Sequence, residues 1–319
     1  MTFYRNVVWY CKGLQESGYE SASKHFVATD LNVDCTDKHY MITGANSGIG
    51  KCIATDIAKR GGTIHMVCRN PTTAEEAKNE IISESNNQNV HLHLLDMSKS
   101  QDVNNFSKDF AENNKQLNVL INNAGCMINT RETTEDGLEK NFATNTLATY
   151  ILTENLLLLM KRSNDPRVVT VTSGGMLVQK LDPLNLQSDK GDKDKFDGTM
   201  VYAQNKRQQV VITEQWADKH PEVHFSCMHP GWADTPAVRN SMPDFYNKMK
   251  DKLRTPLEGG DTAIWLAIKQ NLPEKSSGEF FQDRKSASKH LPLAWSSSSK
   301  SDVTSFMQQL DSYASKYHT

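Results

Sequence analysis

From residue 39 onward the apolar positions of the chain fall into short runs separated by longer stretches of helical periodicity. The runs HYMIT (39–43), TIHMVC (63–68), VHLHLL (90–95), LNVLI (117–121), RVVTVT (167–172) and VHFSCM (223–228) have the length and β-branched content of buried strands, and GEFFQ (278–282) adds a last one. Between them the pattern predicts helices near 51–60, 72–85, 98–114, 136–161 and 201–219. Strand alternating with helix is the mark of parallel βαβ units, and the right-handed crossover places helices on both sheet faces. The expected fold is α/β: a single doubly wound parallel sheet of about seven strands, carried by residues 35–285.

Two regions break this rhythm. Residues 180–199 form a polar insert containing KGDKDK, and residues 232–256 carry Pro236, Pro243 and Pro256. Both follow strands at their carboxyl ends, where open α/β sheets bind ligands. Ahead of the sheet, residues 1–34 are an N-terminal extension in which Phe3, Val7, Tyr10, Cys11 and Leu14 recur at helical spacing beside Arg5 and Lys12. Such a helix either packs on the protein's own surface or lies in a membrane interface; its thin basic face favours packing. Residues 286–319 are a C-terminal tail with a serine run at 296–299 and a short helix after it.

Composition narrows the classes. A formal net charge of −2 and the lack of any dense Lys/Arg block exclude a nucleic-acid partner. Six cysteines lie far apart with no C-x-x-C pair, which suits buried reduced thiols rather than disulfides or a metal site. No stretch approaches the ~20 apolar residues of a spanning helix, and the N-terminus lacks the apolar core of a signal peptide. A cytoplasmic chain, peripheral at a membrane at most, is the expectation.

The first strand runs into Thr43-Gly44-Ala45-Asn46-Ser47-Gly48-Ile49-Gly50. Glycines here suit a tight turn, a close backbone approach to a pyrophosphate and packing of the following helix, whose free N–H groups face the phosphates. This is the loop of a Rossmann-type dinucleotide site. The second strand ends at Cys68-Arg69-Asn70, without the acidic residue that holds a free ribose 2′-OH. Arg69 offers a permanently charged fork for a 2′-phosphate, so NADP(H) is favoured over NAD(H). After the third strand, Asp96-Met97 either meets the adenine amino group or caps the next helix. Asn122-Asn123-Ala124-Gly125 closes the fourth strand; its small residues let backbone lie against the cofactor, and its amides can pin neighbouring strands.

Tyr202 and Lys206 stand four positions apart in an expected helix and share one face. A carbonyl accepting hydride develops alkoxide character, so a proton donor and a hydrogen-bond partner are needed. A phenol is a poor base near neutrality, and the Lys206 ammonium is expected to lower its pKa. Ser173, just past the fifth strand, can hold the substrate oxygen against Tyr202. Asn145 either positions a water linking Lys206 to solvent or bonds backbone as a mid-helix polar residue.

Taken together, TGANSGIG (43–50), NNAG (122–125), Asn145, Ser173, YAQNK (202–206) and HPGWADT (229–235) resemble the short-chain dehydrogenase/reductase superfamily over roughly residues 38–285. The resemblance implies that Asn145, Ser173, Tyr202 and Lys206 form a catalytic tetrad, that Tyr202 and Lys206 also touch the cofactor, and that Pro230, Gly231 and Thr235 lie near the nicotinamide. CRN at 68–70 and the long Ser173–Tyr202 spacing are similar to the retinol-dehydrogenase-like branch. That implies a lipophilic carbonyl or alcohol substrate, retinoid-, steroid- or lipid-aldehyde-like, with Met176, Leu177, Phe196, Met200 and Trp232 either lining the pocket or packing its lid. Trp232 and Asp234 depart from that branch, where aliphatic and basic residues are common; an Asp at the entrance would disfavour anionic substrates. The helices 136–161 and 201–219 are candidates for pairing in a homo-oligomer. The rival reading is a cofactor-binding interaction protein with little turnover.

Overall fold

The computed structural model describes residues 11–190, 196–273 and 275–317. Its strands β1 (His39–Thr43), β2 (Thr63–Cys68), β3 (Val90–Leu94), β4 (Val119–Asn122), β5 (Arg167–Val171), β6 (His224–Met228), β7 (Glu279–Gln282) and β8 (Lys285–Ser286) form one sheet. The order is β3-β2-β1-β4-β5-β6-β7-β8, parallel throughout except for the β7–β8 pair. The eighth strand exceeds the expected seven. It is two exposed polar residues joined to β7 by Asp283-Arg284, both at positive φ, the two-residue hairpin geometry that matches strand twist. Nothing apolar marks it in the sequence.

Alternate residues of the strands feed two cores. Tyr40, Ile42, Ile121 and Val169 face α2 (Gly48–Lys59), α3 (Pro71–Ser85) and α9 (Pro256–Ile268), whereas Met41, Leu120, Val168 and Phe225 belong to the opposite core. That second core is covered by α4 (Ser100–Asn113), α5 and α6 (Gly198–Lys219). Helix α5 runs without a break through Lys140–Phe142, a π-helical turn Ala143–Leu147 and Ala148–Met160. It begins later than the expected 136 because Gly137 sits at φ +82° in a turn, and the Glu139 carboxylate then accepts from the Asn141 and Phe142 amides.

Helix α9 was hidden in the sequence by its proline and glycine pair. Pro256 occupies the first turn, where a missing N–H is harmless, and Thr255 and Glu258 close a capping box. Gly259 and Gly260 are small because a Cβ there would lie 2.9 Å from Ala233 and 3.1 Å from Ile53. The helix thereby seats on α2, the helix that starts at the glycine loop. The short helices α7 (Pro236–Ser241) and α8 (Pro243–Met249) precede it.

The segments outside the expected sheet are built into the same body. Of the N-terminal helix expected from residue 3, positions 3, 7 and 10 fall outside the described residues. Leu14 is buried, its carbonyl accepts from Trp232 N at 2.8 Å, and α1 (Glu16–Ser23) follows. Asp30 accepts from Trp265 Nε1 at 2.7 Å and pairs with Lys269 of α9. At the other end, α10 (Lys300–Ser315) buries Phe306, Leu310 and Ala314 in the α5 core, with Asp311 bonded to Tyr150. Among the described residues no helix is long and apolar enough to cross a membrane. Phe306→Ala leaves a cavity beneath α10 and is expected to cost about 3–5 kcal/mol of stability in a denaturant titration; a change under about 1 kcal/mol would mean α10 is only loosely docked.

Candidate active site

A cleft of about 860 Å³ opens at the carboxyl ends of the strands, where the order reverses between β1 and β4. One end is built by the glycine loop. Gly44, at φ +68°, turns the chain out of β1, and a Cβ on Gly50 would meet Asn123 Nδ2 at 2.5 Å. Ser47 is the N-cap of α2 and makes no side-chain cap bond, so the first amides of the helix face the cleft unclaimed by a side chain. Asn46, Ser47, Gly48, Ile49, Ala124 and Gly125 line this wall. Thr43 and Asn122 stand behind it. Thr43 Oγ1 accepts from the Asn123 and Ala124 amides at 3.0 and 2.9 Å, and Asn122 Nδ2 reaches Thr153 Oγ1 at 3.0 Å. Thr43 thus joins the ends of β1 and β4, and Asn122 ties β4 to α5.

Beyond the end of β2, Arg69 is exposed and lines the cleft. Asn70 caps α3 through Thr73 N at 3.1 Å, and Asn46 Nδ2 donates to Thr73 Oγ1 at 3.1 Å. Residues 68–70 bring no carboxylate to this corner. Asp96 and Met97 line the cleft on its far side; Asp96 Oδ1 holds Ser98 N at 2.9 Å and Ser98 Oγ at 2.8 Å in a turn that precedes α4. Uncapped helix amides, a glycine-lined wall and the Arg69 cation fit the phosphates of a dinucleotide.

The chemical end gathers Ser173, Tyr202 and Lys206 on one wall. Asp197 starts α6 by accepting from the Thr199 and Met200 amides at 3.0 and 3.1 Å, which places Tyr202 in the second turn. Ser173 Oγ accepts from Gly175 N at 3.4 Å, leaving its hydroxyl hydrogen free to donate. Lys206 is 2% exposed, with Nζ 5.3 Å from the centre of the Tyr202 ring. Burial pulls its pKa down to about 8. The Tyr202 phenol is pushed up to about 12, first by burial and then by the Cys126 thiol. That direction is opposite to the one expected from Lys206, because burial in the enclosed wall favours the neutral phenol.

Asn145 is not part of the cleft wall. Its Oδ1 accepts from Cys126 N at 2.8 Å, and its Nδ2 donates to Cys126 O at 2.8 Å and Asn205 Oδ1 at 3.1 Å. The side chain thus fixes the loop after β4 to the π turn of α5. Its backbone carbonyl accepts from Gln209 Nε2 at 2.6 Å, a residue that no motif in the sequence singles out.

Pro230, Gly231 and Thr235 line the middle of the cleft, and Thr235 Oγ1 caps α7 through Val238 N at 3.2 Å. His229, just ahead, is buried and held neutral, its pKa pulled to about 3 by burial and the Arg254 charge. On the substrate side Trp232 packs edge-on against Phe245 at 5.1 Å, joined by Met127, Ile128, Met242 and Leu14. Met176 and Leu177 lie instead in a small core under the lid, and Phe196 and Met200 are absent from the wall. Asp234 does not present an open charge: Arg239 grips it with bonds of 2.7 and 2.8 Å.

Residues 38–181 match the short chain dehydrogenase family. Dehydrogenase/reductase SDR family member 12 of Homo sapiens is 55% identical over 320 residues, covering 99% of this chain and 100% of that protein. Retinol dehydrogenase 11 of Mus musculus is 32% identical over 268 residues, covering 83% and 81%. In fold the chain is similar to a short chain dehydrogenase of Escherichia coli CFT073 solved in complex with NADPH, with a TM-score of 0.64, 22% identity and coverage of 81% and 100%. With a doubly wound sheet, a glycine loop at its switch point and full-length similarity of this degree, the chain belongs to the short-chain dehydrogenase/reductase family of oxidoreductases.

Proposed function

We propose that the protein is an NADP(H)-dependent reductase of lipophilic aldehydes or ketones in which Tyr202 donates the proton. The observation that carries this reading is the shared wall of Ser173, Tyr202 and Lys206, set in the same cleft as an uncapped helix start and Arg69. The bound cofactor would supply the hydride to the carbonyl carbon. Ser173 donates to the carbonyl oxygen and holds it beside Tyr202. Because its surroundings keep Tyr202 a neutral phenol near pH 7, it can hand its proton to the oxygen as negative charge develops there. The Lys206 ammonium, charged below about pH 8, stabilises the phenolate left behind. Arg69, with Asn46 and Thr73 beside it, receives the 2′-phosphate. Trp232, Phe245, Met127, Ile128 and Met242 offer the substrate an apolar wall, in keeping with the retinol dehydrogenases among the relatives.

The test is NADPH oxidation, followed by its near-ultraviolet absorbance, against a series of aldehydes and ketones that includes retinaldehyde. Turnover of an apolar carbonyl supports the reading; cofactor binding without turnover of any of them contradicts it. Arg69→Asp exchanges a phosphate fork for a group that repels the 2′-phosphate and can bond a free 2′-OH. Its expected effect is a loss of NADPH affinity by about tenfold or more with NADH affinity retained or improved. A wild-type protein that binds NADH more tightly would overturn the NADP(H) assignment.

A further inference from the structure

The Lys206 ammonium has three N–H bonds, and two of them are taken by acceptors of the protein itself. One goes to Val171 O at the end of β5, at 2.9 Å, and one to Gln209 Oε1, at 3.0 Å. Gln209 is 2% exposed and stands just under one helical turn beyond Lys206 on α6. The other end of its amide donates to Asn145 O at 2.6 Å, inside the π turn of α5. The same carbonyl accepts from Thr149 Oγ1 at 3.0 Å, so both of its lone pairs are engaged. A carboxamide has fixed polarity, and here the acceptor end meets the cation while the donor end meets the carbonyl.

We propose that Gln209 is the positioning residue of this site: its amide clamps the Lys206 ammonium to the backbone of α5, keeping the cation charged and its remaining N–H directed to the cleft. The clamp rests on the proposed role of Lys206 in proton transfer. It also explains how a lysine this deeply buried remains a cation near neutrality although no carboxylate among the described residues faces it. The titratable groups that do face it are the Tyr202 phenol on its own helix and the Cys126 thiol on the loop after β4. Val171 from β5 and Asn145 from α5 contribute only neutral groups, and the Thr172 hydroxyl just past β5 bonds the Lys206 backbone carbonyl rather than the ammonium.

Gln208, the next residue back, supplies a matched control. It is equally buried and also bonds the π turn, through Thr146 Oγ1 at 2.7 Å, yet none of its side-chain bonds goes to Lys206. The experiment titrates the full chain, labelled with carbon-13 at the lysine ε-carbon and saturated with NADP+, by NMR. The Lys206 signal is identified by its loss in Lys206→Arg. Gln209→Leu is expected to lower the Lys206 pKa by about one unit or more, since the charged form loses an acceptor. Gln209→Glu, of the same size, should raise it by at least as much, and Gln208→Leu should leave it in place. An unmoved Lys206 in Gln209→Leu, or an equal shift in Gln208→Leu, overturns the clamp. If Gln209→Leu fails to fold, Gln209→Glu alone decides by the presence or absence of its upward shift. On any aldehyde that the wild type reduces, the alkaline limb of the kcat profile should move with the NMR value while the Kd for NADPH stays fixed. Should no carbonyl be reduced at all, the proposed function fails, and the NMR titration still decides the clamp.

Discussion

Tyr202→Phe keeps the ring and its packing and is expected to lower carbonyl reduction at least about 10²-fold, with the affinity for NADPH little changed. The hydroxyl shares the wall with Ser173 and Lys206 and is both acidic and neutral at pH 7. Lys206 stands 5.3 Å from the centre of the ring and has two of its N–H bonds committed to Val171 and Gln209. Ser173 is a far weaker acid than a phenol, so it cannot replace Tyr202. Without the phenol the alkoxide forms unprotonated in a wall that burial has already made hostile to charge. The effect corresponds to roughly 2.7 kcal/mol of transition-state stabilisation. Steady-state rates on a substrate turned over by the wild type measure it; near-normal turnover in the variant would remove Tyr202 from the mechanism.

Arg254→Leu is expected to destabilise the fold by about 3–5 kcal/mol, because it strands a buried partner. The Arg254 side chain is 1% exposed and grips Asp283 through two bonds of 2.7 and 3.1 Å. The same guanidinium donates to Gly13 O at 2.7 Å and Gln15 O at 3.3 Å, and it stacks over the Tyr19 ring. Meanwhile the Arg254 backbone forms a rung with Trp232 and Asp234. One side chain therefore ties the N-terminal extension, the β7–β8 hairpin and the loop beside the substrate to each other. Adding Asp283→Asn should return part of the lost stability, since it removes the orphaned charge while Asn tolerates the left-handed backbone at that position. Urea unfolding of the two variants gives the comparison. Equal stability of Arg254→Leu and the wild type would mean that the extension is not held through this residue.

The central strands were legible because their side chains carry the evidence for both cores: β1 alternates Tyr40 and Ile42 against Met41, and β4 alternates Val119 and Ile121 against Leu120. The glycine loop was legible for a different reason, since its spacing follows from a backbone that must turn and then pack within eight residues. What the sequence concealed depended on partners far along the chain. Helix α9 reads as a broken, glycine-containing segment until Ile49, Ile53 and Ala233 are seen against it. The two-residue strand β8 has no pattern of its own. Phe306 and Leu310 look like the apolar face of a short tail helix, yet they complete the α5 core. At the site, the spacing of Tyr202 and Lys206 disclosed a shared helix face, but nothing in it told whether burial or the neighbouring cation would govern the phenol. Asn145 likewise offered two uses, and the one seen is set by backbone groups of Cys126. Gln209 sits on the same helix face as Lys206, and only the π turn of α5 gives its amide a second partner.

The claim on which the account turns is that hydride passes directly from NADPH to a carbonyl carbon in this cleft. NADPH deuterated at the reactive ring carbon, incubated with the protein and an apolar aldehyde, tests it by mass spectrometry of the alcohol formed. The expected result is one deuterium on the carbinol carbon with the wild type and almost none of the product with Tyr202→Phe. A protein that binds the labelled cofactor tightly and yields no deuterated alcohol from any aldehyde or ketone offered would contradict it.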